Sequence, residues 1–179
     1  MILITGSSGF IGTNVTRYFI QKGEDVVGVD VSEPQKSFER EQFTLHRCDL
    51  TDRTSVSKAF KKFKPEKVVH LAFVTRPKEP YREFLDDARI TLNMLQSALE
   101  HDVQRFVLMS SSTVYGLHKE DRFVEEEEIL DPRGVYGKAK LTAEMMAKEY
   151  LKSQNLPVVI LRGFEIYGPY LTPPTIVKI

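Results

Sequence analysis

The sequence predicts an α/β fold, a doubly wound parallel sheet with helices on both faces. Three observations carry the prediction. Short apolar runs alternate with stretches of helical periodicity along nearly the whole chain. The runs are apolar throughout, so both of their faces are buried, which is the habit of parallel strands. Right-handed crossovers between such strands then place helices on either side of the sheet.

Each element has its own local reason. Ile2-Leu-Ile-Thr5 is the first strand, closed at once by Gly6. From Phe10 to Lys22 the apolar residues Phe10, Ile11, Val15, Phe19 and Ile20 follow helical spacing, and Gly23 ends that helix. Val26-Val-Gly-Val-Asp30 is the second strand and Phe43-Thr-Leu-His46 the third. Asp52 suits the N-cap of a helix running to about Phe63. Lys67-Val-Val-His-Leu71 is the fourth strand. A long helix follows, ending near His101, with Leu92, Leu95 and Leu99 on one side. Arg105-Phe-Val-Leu-Met-Ser110 is the fifth strand, a helix spans about Val135 to Gln154, and Pro157-Val-Val-Ile-Leu161 is the sixth strand. Gly168-Pro-Tyr-Leu-Thr-Pro-Pro174 is turn chemistry, and Ile176-Val-Lys-Ile179 is too short for another strand–helix unit.

Composition narrows the classes of function. The 179 residues suffice for one domain with a sizeable core. Lys plus Arg equals Asp plus Glu at 25 each, which gives no overall field to draw nucleic acid or an anionic membrane. Cys48 is the only cysteine, so it forms no intrachain disulfide and reads as a core thiol. Met1-Ile-Leu-Ile-Thr5 is too short for a signal-peptide core, and no apolar run approaches the ~20 residues of a membrane span. A cytoplasmic protein is the expectation. His46, His70, His101 and His118 lack the spacing of metal ligands, so no metal is expected.

Glycines at 6, 9 and 12 lie between the first strand and the first helix. A turn this tight needs a residue tolerant of positive φ, and a pyrophosphate needs backbone with no side chain in its way. Gly12 lets the helix pack closely, and the helix N-terminus aims N–H groups at phosphate. Asp30 ends the second strand, 18 residues beyond Gly12. A carboxylate there accepts from ribose hydroxyls and repels a 2′-phosphate, favouring NAD over NADP. Asp49, after the third strand, suits an adenine amino group and suits a simple turn equally well. Together these make the chain a candidate Rossmann domain with NAD as cofactor.

Tyr136-Gly-Lys-Ala-Lys140 sets a phenol and an ammonium four residues apart on one helix face. The ammonium favours the phenolate, so the tyrosine can move a hydroxyl proton while hydride is exchanged with nicotinamide. Lys140 can also hold the nicotinamide ribose. Ser110-Ser-Ser-Thr-Val-Tyr-Gly116 lies at the carboxyl end of the fifth strand, where open α/β sheets place their sites.

These segments, with Cys48-Asp-Leu50, His70-Leu-Ala72 and Leu161-Arg-Gly-Phe-Glu-Ile-Tyr-Gly-Pro169, resemble the extended short-chain dehydrogenase/reductase family. The likeness is to its NAD-dependent sugar epimerase/dehydratase branch, of UDP-glucose 4-epimerase type. It implies that Gly6, Gly9, Phe10 and Ile11 line the pyrophosphate, and that Asp49 and Leu50 contact adenine. It further implies that Leu71 and Ala72 lie against the cofactor, that Ser111 is the catalytic hydroxyl, and that Tyr136 is the acid/base with Lys140 its partner. The resemblance also makes a homodimer one expectation, with Leu141, Met145 and Met146 contributing apolar surface; packing of those residues against the sheet explains them equally well. Three positions depart from the family pattern: Asp87 and Glu165 each stand where Asn is usual, and Gly163 replaces an aromatic residue.

The expected organisation is an NAD-binding domain over residues 1–165, with 166–179 opening a substrate domain that is largely absent. The expected activity is epimerisation or dehydration of a nucleotide-sugar by transient hydride transfer. Two other readings stay open: a related oxidoreductase acting on another hydroxylated substrate, and a non-catalytic NAD-binding module.

Overall fold

A computed structural model of the chain describes residues 1–34, 38, 42–74, 79–117 and 124–171. His118 and the tail beyond residue 171 lie outside the described residues, as does the turn chemistry expected at Pro173 and Pro174. The strands are β1 Ile2–Thr5, β2 Val26–Asp30, β3 Phe43–Arg47, β4 Lys67–His70, β5 Arg105–Ser111 and β6 Val158–Gly163. The helices are α1 Phe10–Gln21, α2 Arg53–Phe63, α3 Pro80–Glu100 and α4 Gly134–Gln154. All six strands are parallel, in the order β3-β2-β1-β4-β5-β6. The chain runs outward from β1 to one edge, then returns to start β4 on the other side. That reversal leaves a crevice beyond the carboxyl ends of β1 and β4, where doubly wound sheets bind ligands.

Alternation along the strands divides the core in two. Leu3, Val27, Val29, Val68, Phe106, Leu108 and Val158 pack with Val56 and Phe60 of α2, Ile90, Met94, Leu95 and Ala98 of α3, and Ala143 and Ala147 of α4. On the other face Ile2, Ile4 and Val26 pack with Ile20, Val15 and Phe19 of α1. The row Ile4–Val69–Val107–Val159 crosses that second face. It is buried at Ile4 and only half-buried at Val107 and Val159, while Leu161 on β6 is exposed. Helix cover on the α1 side therefore stops short of β5 and β6 among the described residues.

Several local expectations are corrected. The buried face of α1 is made chiefly of small residues, Gly12, Thr13 and Thr16 with Ile20, while Phe10, Ile11, Val15 and Phe19 are half-buried. This helix lies so close to the loop before it that small side chains fit best. On α3 the buried stripe is centred on Met94 and Leu95, and Leu92 faces out. The sixth strand begins at Val158, because Pro157 has no N–H and joins only through its carbonyl, which accepts from Phe106. β4 stops one residue early, at His70, and β5 runs on to Ser111. Asp52 caps α2 as expected, accepting from the N–H groups of Thr54 and Ser55. Cys48 is buried, and burial, then Asp49 and Asp52, push its thiol up to about 11. No described helix is long and apolar enough to cross a membrane.

Candidate active site

A cleft of about 720 Å³ opens at the carboxyl ends of the central strands. Its walls are the turn after β1 (Gly6, Ser8, Gly9), the end of β2 (Val29, Asp30), the turn after β3 (Cys48 to Thr51) and the chain after β4 (Leu71 to Val74). Gly6 has φ +67°, and a side chain there would press on the Ala72 backbone at 3.0 Å. A Cβ on Gly12 would overlap the Gly6 carbonyl, so the helix can begin this close only with glycine. Gly9 is the N-cap of α1 and supplies no side-chain bond, leaving the first turn uncapped toward the cleft.

The walls are held by bonds between distant parts of the chain. Asp30 accepts from the Ser8 N–H at 3.0 Å and the Ser32 N–H at 3.0 Å, which fixes its carboxylate at the cleft rim. Asp49 accepts from the Thr51 N–H and hydroxyl at 2.9 and 2.8 Å, closing a turn. Asn93 on α3 donates to the Leu50 and Thr51 carbonyls and pins that turn. Thr5 organises the opposite wall. Its hydroxyl accepts from the N–H groups of Leu71 and Ala72, both at 3.1 Å, and lies 2.7 Å from His70 Nδ1. With both lone pairs engaged, the hydroxyl donates to Nδ1, so the ring proton of His70 sits on Nε2. Burial, and then the Lys140 charge, push His70 down to about 3, so it is a neutral structural ring.

The expected Tyr136–Lys140 pair lies beyond the β4 wall. Lys140 is only 8% exposed, and its Nζ donates to the Met109 carbonyl at 3.1 Å. Tyr136 is 40% exposed and reachable from solvent. Phe73 joins the pair to the cleft: its ring meets Tyr136 edge-on at 4.7 Å and lies 4.5 Å from Lys140 Nζ. Burial pushes Lys140 down to about 8, against the raising influence of Asp87. Ser111 ends β5 two residues after Met109, and its hydroxyl accepts from the N–H and hydroxyl of Thr113. That bond caps a short 3₁₀ turn, Ser112–Tyr115, which the apolar pattern did not reveal. The turn packs on the start of α4, where a Cβ at Gly137 would meet the Thr113 carbonyl at 3.0 Å.

Residues 2–178 match the profile of a family described as the NAD dependent epimerase/dehydratase family. The chain belongs to that family. It is 33% identical to Protein CapI of Staphylococcus aureus, covering 96% of this chain and 56% of that protein. It is 31% identical to a probable UDP-glucuronate 4-epimerase of Rhizobium meliloti, covering 96% and 54%. Among solved structures, a UDP-glucose 4-epimerase of Thermotoga maritima with UDP-glucose superposes with a TM-score of 0.88 at 28% identity. That match covers 97% of this chain and 58% of the other. The chain thus spans little more than half the length of these relatives.

Within this epimerase/dehydratase fold, Gly6, Gly9, Asp30, Asp49, Leu50, Leu71 and Ala72 share the cleft. Phe10, Ile11 and Gly12 stand behind the glycine turn on α1, and Tyr136 and Lys140 lie beyond Phe73. Of the three serines, Ser110 turns away: it donates to Glu144 Oε1 at 2.6 Å. Glu144 is fully buried and paired with Arg162, whose Nε and second terminal nitrogen reach it at 2.9 and 2.8 Å. Burial opposes the Glu144 charge, but the hydrogen bonds from Arg162 and Ser110 overcome it and hold the carboxyl below its usual range. Arg162 also donates to the Tyr115 hydroxyl and the Glu126 carbonyl. The sequence reading missed this ion pair and Phe73. The available signal was a charge set inside an apolar strand. The space an aromatic residue would take at Gly163 is filled by Met109 and Ile166. Glu165 is exposed.

Proposed function

We propose that this chain is the cofactor-binding part of an enzyme that epimerises or dehydrates a nucleotide-sugar, with NAD as cofactor and Ser111, Tyr136 and Lys140 as its catalytic group. The single observation carrying the reading is the coupling of two sites through Phe73: a glycine-walled cleft on one side and a buried lysine beside an accessible tyrosine on the other.

The cleft fits a dinucleotide. The side chains that Gly6 and Gly12 lack would fill the turn, and α1 presents an uncapped N-terminus there. Asp30, anchored by two N–H groups, keeps lone pairs to accept from ribose hydroxyls. Bound NAD supplies the hydride acceptor and donor. Tyr136 takes the proton from a sugar hydroxyl and returns it. The Lys140 ammonium favours the ionised phenol, and Ser111 holds the substrate oxygen once its hydroxyl turns from the Thr113 cap. The test is a panel of UDP- and dTDP-sugars added to the NAD-loaded chain while absorbance at 340 nm is followed. A transient rise with at least one sugar is expected. A flat trace with every sugar, in a chain shown to bind NAD, counts against catalysis by this chain alone.

One observation favours a second reading, a module that binds NAD but acts only when completed by further protein. The row Val107, Val159 and Leu161 is left partly open on the α1 side, as a sheet face awaiting cover would be. On either reading a second copy can dock on the outer stripe of α3, where Tyr81, Leu85 and Leu92 are exposed, with Met145 of α4. Met146 is half-buried and packs against the core.

A further inference from the structure

We infer that Arg162 is a positioning residue, whose guanidinium, seated on Glu144, holds the turn that carries Ser111 and the segment leading into α4 in one arrangement around Tyr136. Its bonds divide into two sets. Nε and Nη2 close on the two Glu144 oxygens at 2.9 and 2.8 Å. Nη1 reaches away from that pair, to the Tyr115 hydroxyl at 2.8 Å and the Glu126 carbonyl at 2.9 Å. One planar group therefore joins β6, α4, the Ser112–Tyr115 turn and the chain before α4. Glu144 has no exposed surface, so the guanidinium cannot swing out without stranding a buried charge.

Each joined element carries or borders a residue of the proposed site. Ser111 caps the turn, accepting from the Thr113 N–H at 3.2 Å, and Tyr115 ends it with its ring 4.8 Å from the Arg162 Cζ. β5 is tied to α4 at two points one helical turn apart, Met109 to Lys140 at 3.1 Å and Ser110 to Glu144 at 2.6 Å. With Ser110 turned into α4, the alternation of a strand turns Ser111 to the other side. The chain before α4 packs on both neighbours. A Cβ on Gly116 would overlap the Asp131 carbonyl, and one on Gly137 would lie 3.0 Å from Pro132. Tyr136 stands in the first turn of the helix that follows. An ion pair that only stabilised the fold would need neither of the outward bonds, to Tyr115 and to Glu126. The bearing of this arrangement on catalysis rests on the function proposed above, whereas the arrangement itself does not.

The test is amide hydrogen exchange by NMR in the native chain, Tyr115→Phe and Arg162→Lys. Tyr115→Phe deletes one hydroxyl and keeps the ring against Arg162 and Phe164. Arg162→Lys keeps a cation for Glu144 and loses the planar fork. In both, exchange at the Thr113 and Gly116 amides, which close the turn, is expected to quicken by about tenfold. Amides of β1 and β4 should keep their native rates, and NAD affinity should hold within about twofold, since neither side chain lines the cleft. Unchanged exchange at the turn overturns the inference. So does a uniform rise across the sheet, which is the mark of lost global stability. If Arg162→Lys fails to fold, Tyr115→Phe decides alone. Turnover of a nucleotide-sugar by the same samples separates the two claims. A chain that turns over no sugar but shows the local loosening loses the proposed function and keeps this inference. A chain that turns over a sugar without the loosening does the reverse. Where both are present, kcat should fall about tenfold in Tyr115→Phe at unchanged NAD affinity, and a native kcat overturns the positioning role.

Discussion

Tyr136→Phe is expected to cut hydride transfer by about 10²–10⁴-fold while leaving NAD affinity nearly unchanged. The substitution removes one oxygen and keeps the ring. The edge-on contact with Phe73 is made by the ring, so the packing that joins the site to the cleft survives. The cleft walls do not include Tyr136, so cofactor binding should persist. In the proposed mechanism, what is lost is the group that moves the hydroxyl proton as hydride leaves the carbon. The check is single-turnover absorbance at 340 nm with whichever nucleotide-sugar proves active. A variant that keeps the native rate contradicts Tyr136 as the acid/base. A variant whose melting temperature falls sharply would point to a structural role for the phenol instead.

The largest stability effect is expected at Arg162→Met, at about 3 kcal/mol near pH 7. Glu144 has no exposed surface, and Arg162 makes two of its charge-assisted bonds. Removing the guanidinium leaves a buried carboxylate with the Ser110 hydroxyl and Lys148 at 3.5 Å. That loss should also reverse the pH dependence of stability. In the native chain the Glu144 carboxyl lies below its ordinary 4.5, so its contribution is present above that value and fades as pH falls through the folded value. In the variant, burial, the largest influence on the carboxyl, is opposed only by Ser110 and Lys148, so the carboxyl is expected to move above its unfolded value and the folded state to bind the extra proton. Stability of the variant then rises as pH falls toward 5, and the gap between the two proteins narrows. Urea unfolding at pH 7 and pH 5 measures this. A gap below about 1 kcal/mol at pH 7 would mean the pair adds no more than a surface ion pair does.

The sheet was legible in the sequence because parallel strands must be apolar on both faces, and Ile2–Thr5 and Val26–Asp30 are written that way. The glycine turn was legible because two of its demands are local: Gly6 takes a positive φ, and a side chain at Gly12 would meet the Gly6 carbonyl six residues back. The parts that stayed hidden join distant residues. Thr5 organises the wall at Leu71 and Ala72 from 66 and 67 residues away. Glu144 and Arg162 meet across 18 residues. Phe73 follows two residues that the family likeness did mark, but nothing in its local spacing says that it touches both Tyr136 and Lys140. Leu92, Leu95 and Leu99 share one side of α3, but helical spacing defines a stripe without saying which edge of it the sheet covers, and Leu92 lies at the exposed edge.

Titration of the purified chain with NAD and with NADP tests the central claim most directly. The cleft predicts saturable NAD binding, with NADP at least roughly tenfold weaker because its 2′-phosphate would face the Asp30 carboxylate. Asp30→Ala should weaken NAD and narrow that preference. Absence of saturable NAD binding, or NADP binding as tight as NAD, would contradict the account.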